Sequence, residues 1–253
     1  MPRIIAITNQ KGGVGKTTTA VNLSAGLAHS GKKVLLLDID PQGNSTSGVG
    51  VDKNKLTSCM YDSLINETPV HNIVVNTEID GLMVAPATID LAGAEIELVP
   101  TISREVKLRN LLRDIHMDLD YIIIDCPPSL GLLTVNALTA SDSALIPIQC
   151  EYYALEGLSQ LLNTIKLVQN HLNTALEIEG VLLTMYDSRT NLSAQVSEEI
   201  KNHFKDDVYK TVIPRNVRLS EAPSYGQPII TYDNKSKGAE VYLQLAEEVL
   251  AVE

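Results

Sequence analysis

Residues 4–18 read IIAITNQKGGVGKTT, and no other stretch restricts what this chain can fold into as tightly. An apolar run, a glycine-rich turn and then Gly15-Lys16-Thr17 require a strand, a phosphate-cradling loop and a helix in that order. The ordinary pattern, GxxxxGK followed by Ser or Thr, needs glycine at position 10, where this chain has Gln10, and a second lysine, Lys11, opens the turn. Gly12, Gly13 and Gly15 let successive backbone N–H groups turn inward around phosphate oxygens with no Cβ in the way. The segment 16–30 (KTTTAVNLSAGLAHS) is expected to be helical, and its N-terminus favours an anion. The expected nucleotide-binding set is therefore Lys11, Gly12, Gly13, Val14, Gly15, Lys16, Thr17 and Thr18, with Lys16 reaching the β- and γ-phosphates and Thr17 binding Mg²⁺.

The 253 residues are 44% apolar and contain no Pro-, Gly- or Ser-rich linker, which predicts one domain over 1–253. With no Trp and one Phe, the core must be built from Ile, Leu, Val and Ala, which suits parallel strands covered on both faces. Cys59, Cys126 and Cys150 are odd in number and widely spaced, so they suggest neither a disulfide framework nor a metal site. The five histidines show no ligand spacing. No basic stretch precedes an apolar one at the N-terminus, and no apolar run approaches the roughly 20 residues that span a bilayer, so a cytoplasmic protein is expected.

Candidate strands are 3–8, 33–38, 81–85, 121–125, 143–148, 178–184 and 208–213; the clearest helical patterns are 16–30, 103–116, 131–140, 154–170, 191–204 and 236–251. This alternation predicts an α/β fold, a doubly wound, mostly parallel sheet with helices on both faces. Ligands in such sheets bind beyond the carboxyl ends of the strands. Two strands end in carboxylates there: LLLDIDPQGN places Asp38 and Asp40, and YIIIDCPPSLG ends in Asp125, the layout of a Walker B strand whose carboxylate holds Mg²⁺ beside Thr17.

KGGVGKT, DIDPQGN and IIIDCPP together resemble the deviant Walker A ATPases, most closely the ParA/Soj chromosome and plasmid partition family, over essentially the whole chain. The resemblance implies ATP and Mg²⁺ as cofactors and hydrolysis of ATP to ADP and phosphate. It makes Lys11 the signature lysine that reaches the partner subunit's ATP, so that ATP binding produces a homodimer. Lys16 is implied to stabilise transition-state charge, Thr17 and Asp125 to serve the metal, Asp40 to orient the attacking water, and Pro214 and Asn216, in IPRNVRLSEAPS, to contact adenine. Such dimers bind DNA without sequence preference and are stimulated by a ParB/Spo0J-like protein, which implies a nucleoid-associated protein; a role in regulating replication initiation is left open. Nothing resembling a helix-turn-helix precedes the first strand, which suggests the short, chromosomal type.

The formal net charge is −11, which alone argues against nucleic acid. The distribution is uneven: residues 185–238 hold eight basic residues against seven acidic, and the remainder 12 against 24. Arg189 and Arg218, near the ends of two strands, are the DNA-contact candidates. The alternative is a MinD-like, membrane-associated positioning ATPase, expected to end in a basic amphipathic helix; GAEVYLQLAEEVLAVE is acidic, so no stable membrane association is expected. The apolar stripe of 154–170, which includes Leu155, is read as core and dimer packing, and Glu151, Tyr152 and Tyr153 as a place where a partner subunit could touch.

Overall fold

The computed structural model describes residues 1–151 and 156–251; Tyr152, Tyr153 and Leu155 lie outside the described residues. Among the described residues one sheet contains β1 Arg3–Ile7, β2 Val34–Asp38, β3 Val75–Asn76, β4 Leu82–Ala85, β5 Tyr121–Asp125, β6 Ser143–Gln149, β7 Glu177–Tyr186 and β8 Val208–Pro214. The strand order is β3-β4-β2-β5-β1-β6-β7-β8, and only β3 pairs antiparallel. β1 lies between β5 and β6, so the chain winds outward in both directions from the strand that feeds the glycine-rich loop.

Every residue of β2 and β5 is buried, as a parallel sheet covered on both faces requires. Side chains alternate between two apolar layers. Leu35, Leu37, Ile122 and Ile124 pack in the layer with Leu112, Leu133, Leu161 and Val196. Ile5, Ile7, Leu36 and Ile123 face the layer with Leu23, Leu27, Tyr242 and Leu245. Helices therefore cover both faces, and the doubly wound expectation holds.

The differences from the sequence reading are local. β3 was not expected; two residues at a sheet edge leave no periodic signal. The expected helix 103–116 is shorter, a 3₁₀ turn at Arg104–Val106 followed by Lys107–Arg113. Ser103 sits in the left-handed region at φ 57°, and Asn136 pins the start of the helix by accepting from Leu108 N (3.1 Å) and donating to Arg104 O (2.8 Å). The short helices Asn44–Gly48, Met60–Asn66, Val70–Ile73, Leu91–Glu97, Val217–Glu221 and Ile229–Tyr232 also went unread. They span four to seven residues each, too short for a 3.6-residue period to show.

The helix after the glycine-rich loop, Lys16–His29, is wedged against Lys237–Leu250. A Cβ on Gly26 would stand 3.0 Å from Ala246 Cβ and 3.3 Å from Tyr242 O, while Thr19 Oγ1 and Tyr242 OH share a 3.2 Å hydrogen bond. Gly26→Val is therefore expected to overpack this contact and cost about 1–3 kcal/mol. Urea denaturation checks this; an unchanged midpoint would show that the two helices can separate freely.

Candidate functional site

The loop between β1 and the helix Lys16–His29 is tied down at three points. Asn9 Nδ2 donates to Pro147 O (2.8 Å), Asn9 Oδ1 accepts from Lys11 N (3.0 Å), and Thr184 Oγ1 donates to Val14 O (2.9 Å). Gly13 (φ 73°) and Gly15 (φ 89°) adopt left-handed backbone that other residues rarely take. Gly12 does not, and a Cβ there would meet no protein atom within 4 Å, so its lack of a side chain serves the space in front of the loop rather than the loop itself.

Lys16 is buried to 6% exposure, and its ammonium donates to Lys11 O at 2.9 Å across the turn. Burial lowers its pKa, and the carboxylates of Asp125 and Asp40 oppose that shift. Lys11 is half-buried and helps line a cavity of about 600 Å³ with Asn9, Gly12, Val14, Glu151, Asp187 and Arg215.

The two strand-end carboxylates are neighbours because β2 and β5 run parallel in register, with Asp38 opposite Asp125. Asp38 Oδ2 accepts from Thr46 N (2.9 Å) and Thr46 Oγ1 (2.7 Å), and Asp38 Oδ1 from Asp40 N (3.1 Å). It thus anchors both ends of the turn that carries Asp40, while Asp40 Oδ1 accepts from Gln42 N (2.9 Å). Thr46 Oγ1 also accepts from Ala87 N (3.0 Å), which joins the turn to the end of β4. At Gly43 (φ 60°) a Cβ would come within 2.6 Å of Ala87 O, so the turn can close only with glycine there.

Asp125 differs from Asp38. Both of its oxygens are buried and neither accepts a hydrogen bond of good geometry. Burial, then the Asp38 charge, push its pKa well up; the nearby Thr17 and Ser45 hydroxyls oppose this only in part. Two orphaned carboxylate oxygens beside a hydroxyl form a donor set suited to a hard divalent cation.

A second cavity of about 500 Å³ is lined by Gly15 and Thr18 from the loop and by Pro214 at the end of β8 and Asn216 just after it. Asn216 Oδ1 already accepts from Arg218 N (2.8 Å) as the cap of Val217–Glu221, so its amide nitrogen is the group left for a ligand. Thr184 and Met185, which sequence reasoning missed, form the wall at this cavity, and Met185 lines both cavities from a left-handed backbone at φ 50°. β7 runs on to Tyr186, beyond its expected end, and brings them there.

Arg189 and Arg218 lie outside both cavities and are exposed. Arg189 forms a two-point ion pair with Asp187 (2.9 and 2.7 Å), and Arg218 pairs with Glu221 (2.9 Å) and Asp233 (3.5 Å).

Fold and site together define a P-loop nucleotide-binding protein of the doubly wound α/β class. The AAA domain family matches residues 2–178. The chain is 70% identical over 251 residues to the sporulation initiation inhibitor protein Soj of Bacillus subtilis, covering 99% of each chain. It is 58% identical over 248 residues to the chromosome partitioning protein ParA of Myxococcus xanthus, covering 98% of this chain and 88% of that one. The structure of cobyrinic acid a,c-diamide synthase from Mycobacterium smegmatis with bound ADP and magnesium superposes with a TM-score of 0.87 at 40% identity, over 99% and 94% of the two chains. The chain belongs to the Soj/ParA family of chromosome partitioning proteins.

A carboxylate whose folded pKa is raised binds more protons in the folded state, so its stability contribution is fully present below the ordinary value of 3.8 and is lost as pH rises through the folded value. Burial of the Asp125 carboxyl thus burdens the ligand-free protein at neutral pH. Asp125→Asn is expected to raise ligand-free stability by about 1–3 kcal/mol at pH 7, with the gain shrinking toward pH 4. Thermal melts across that range check it; a destabilised mutant at pH 7 would show that the carboxylate is paired in solution.

Proposed function

We propose that the chain is the ATPase of a chromosome partitioning system. It binds ATP with Mg²⁺, dimerises on that nucleotide, holds DNA without sequence preference as the dimer, and hydrolyses ATP to ADP and phosphate when a ParB/Spo0J-like partner stimulates it. The observation that carries this reading is the burial of Lys16, Asp40 and Asp125 together at the strand ends, beside a loop whose Gly15 and Thr18 open on the second cavity. The M. smegmatis structure, which holds ADP and magnesium, supports a nucleotide-binding reading of this fold.

In this reading Lys11, Gly12, Gly13, Val14, Gly15, Lys16, Thr17 and Thr18 hold the phosphates, and Pro214 and Asn216 hold adenine. Thr17 and Asp125 would hold the metal, which supplies charge neutralisation at the phosphates. Among the described residues no cluster of three or more His, Cys, Asp or Glu could cage a metal, in keeping with Mg²⁺ held by one or two protein groups and phosphate oxygens. Lys16 stabilises transition-state charge, and Asp40, fixed through Asp38 and Thr46, orients the water. Lys11 acts across the dimer. Residues 1–253 work as one domain in the cytoplasm on the nucleoid, with Arg189 and Arg218 contacting DNA. No helix among the described residues is long and apolar enough to cross a membrane. The M. smegmatis synthase shares the fold, so fold alone admits small-molecule chemistry; the higher identity to Soj weighs for partitioning.

Asp40→Ala is expected to bind ATP and dimerise while partner-stimulated turnover falls about 10²-fold or more. Unchanged phosphate release would show that another group positions the water. DNA retention is expected with ATP, to be lost with ADP, and to be lost with ATP in the Arg189→Glu, Arg218→Glu double variant. Equal retention in all three filter-binding conditions would refute the DNA assignment.

A further inference from the structure

Lys11 is held through its backbone from two sides. Its N–H donates to Asn9 Oδ1 (3.0 Å), and its carbonyl accepts from the Lys16 ammonium (2.9 Å). The two holds differ in kind. Phosphate oxygens are charged acceptors and attract an ammonium more strongly than a carbonyl does, so a nucleotide in the loop competes for Lys16. Asn9 is neutral and 5% exposed, and its amide nitrogen is already engaged by Pro147 O, so nothing in a triphosphate competes for it in the same way.

The sheet explains why an asparagine stands there. β1 pairs with β6 as far as Ile7 opposite Leu145, and Thr8 N donates to Leu145 O (3.1 Å). Two residues further along β6 is Pro147, which has no N–H to return to β1. The backbone ladder stops, and Asn9 Nδ2 takes Pro147 O (2.8 Å) in place of a backbone donor. One short amide, donor at one end and acceptor at the other, thus holds a strand carbonyl and the N–H two residues on. β6 runs on to Gln149, and Gln149, Cys150 and Glu151 line the same cavity as Lys11. Asn9 therefore fixes Lys11 relative to that wall. The phosphate cradle is tied separately, by Thr184 Oγ1 to Val14 O (2.9 Å).

We infer that Asn9 is a positioning residue for Lys11. With nucleotide bound, it is the anchor that keeps the Lys11 backbone in place for its action across the dimer, while the cradle around Val14 and Gly15 depends on Thr184 instead. This inference rests on the partitioning reading above.

The experiment separates nucleotide binding from dimerisation in the full chain, using a non-hydrolysable ATP analogue and Mg²⁺. Analogue affinity is read by fluorescence at low protein concentration, and dimer formation by sedimentation. Asn9→Ala is expected to weaken dimer formation at least about tenfold while analogue affinity stays within about threefold of the parent. Asn9→Ser, whose hydroxyl still accepts from the N–H two residues on, is expected to recover part of the dimer. Thr184→Val is expected to show the opposite split, with analogue affinity falling at least about tenfold. Should Asn9→Ala fail to fold, the Ser variant carries the same comparisons. The inference is overturned if the Asn9 variants dimerise as the parent does, if their analogue affinity falls as far as their dimerisation, or if Thr184→Val reproduces the Asn9→Ala pattern. Lys11→Ala tests the partitioning reading separately: a variant that dimerises like the parent refutes the role of Lys11 across the dimer, and the inference falls with it.

Discussion

Four charged side chains are brought together where β1, β2 and β5 end, and the architecture around them follows from keeping them there. Lys16, Asp38, Asp40 and Asp125 are all nine-tenths or more buried. Burying an ammonium and three carboxyl groups in a low-dielectric setting is costly unless geometry and hydrogen bonds are fixed. The parallel register supplies the geometry, because Asp38 and Asp125 are partners across β2 and β5, and Ile7 of β1 faces Asp125 on its other side. Asp38 is satisfied internally by the Thr46 and Asp40 groups, whereas Asp125 is not. That asymmetry gives the two acids different tasks. Asp38 is structural, holding a turn; Asp125 keeps both carboxyl oxygens buried and without a hydrogen bond from the protein.

The glycine-rich loop is organised by the same logic. Its shape depends on distant strands, through Pro147 in β6 beside β1 and Thr184 near the end of β7. Lys16 is held over the loop by the Lys11 carbonyl, so the two lysines are coupled through backbone: a change in the turn at Lys11 alters the ammonium's hydrogen bond directly. Met185 lines both cavities from left-handed backbone, and strain of this kind persists only where surrounding structure imposes it.

Much of this could be read from the sequence, for identifiable reasons. Buried parallel strands appear as unbroken Ile, Leu and Val runs, so β1, β2 and β5 and their terminal acids were legible, as was the helix at Lys16. What could not be read depends on contacts between remote segments. The Asn44–Gly48 helix begins at Gly43 in a left-handed conformation without a side-chain cap, and so leaves no capping signature. The shortened helix at Lys107 is set by Asn136 from another helix. Asn216 could be placed at the cavity but not seen to be spending its oxygen on a helix cap. Nor does composition reveal that Ile96 and Ile102 point outward, because an apolar residue in a short helix reads as core until the packing is known.

The arginines chosen from charge bias show where a sequence-level argument meets its physical limit. Arg189 and Arg218 are exposed, yet each already faces carboxylates, and Arg215 pairs with Glu151 at 3.4 Å. The face is therefore nearly neutral, in keeping with eight basic residues against seven acidic in residues 185–238. Exposed ion pairs contribute little because water screens them, so exchanging Asp187 for a phosphate costs little. It also gains little per contact, and a single subunit offers few such exchanges. Under the proposed reading, affinity for DNA must come from presenting two such faces at once, which multiplies the phosphates engaged and steepens the salt dependence. On that reading, neutral pairing in a single subunit leaves DNA retention to depend on how many such faces are presented together.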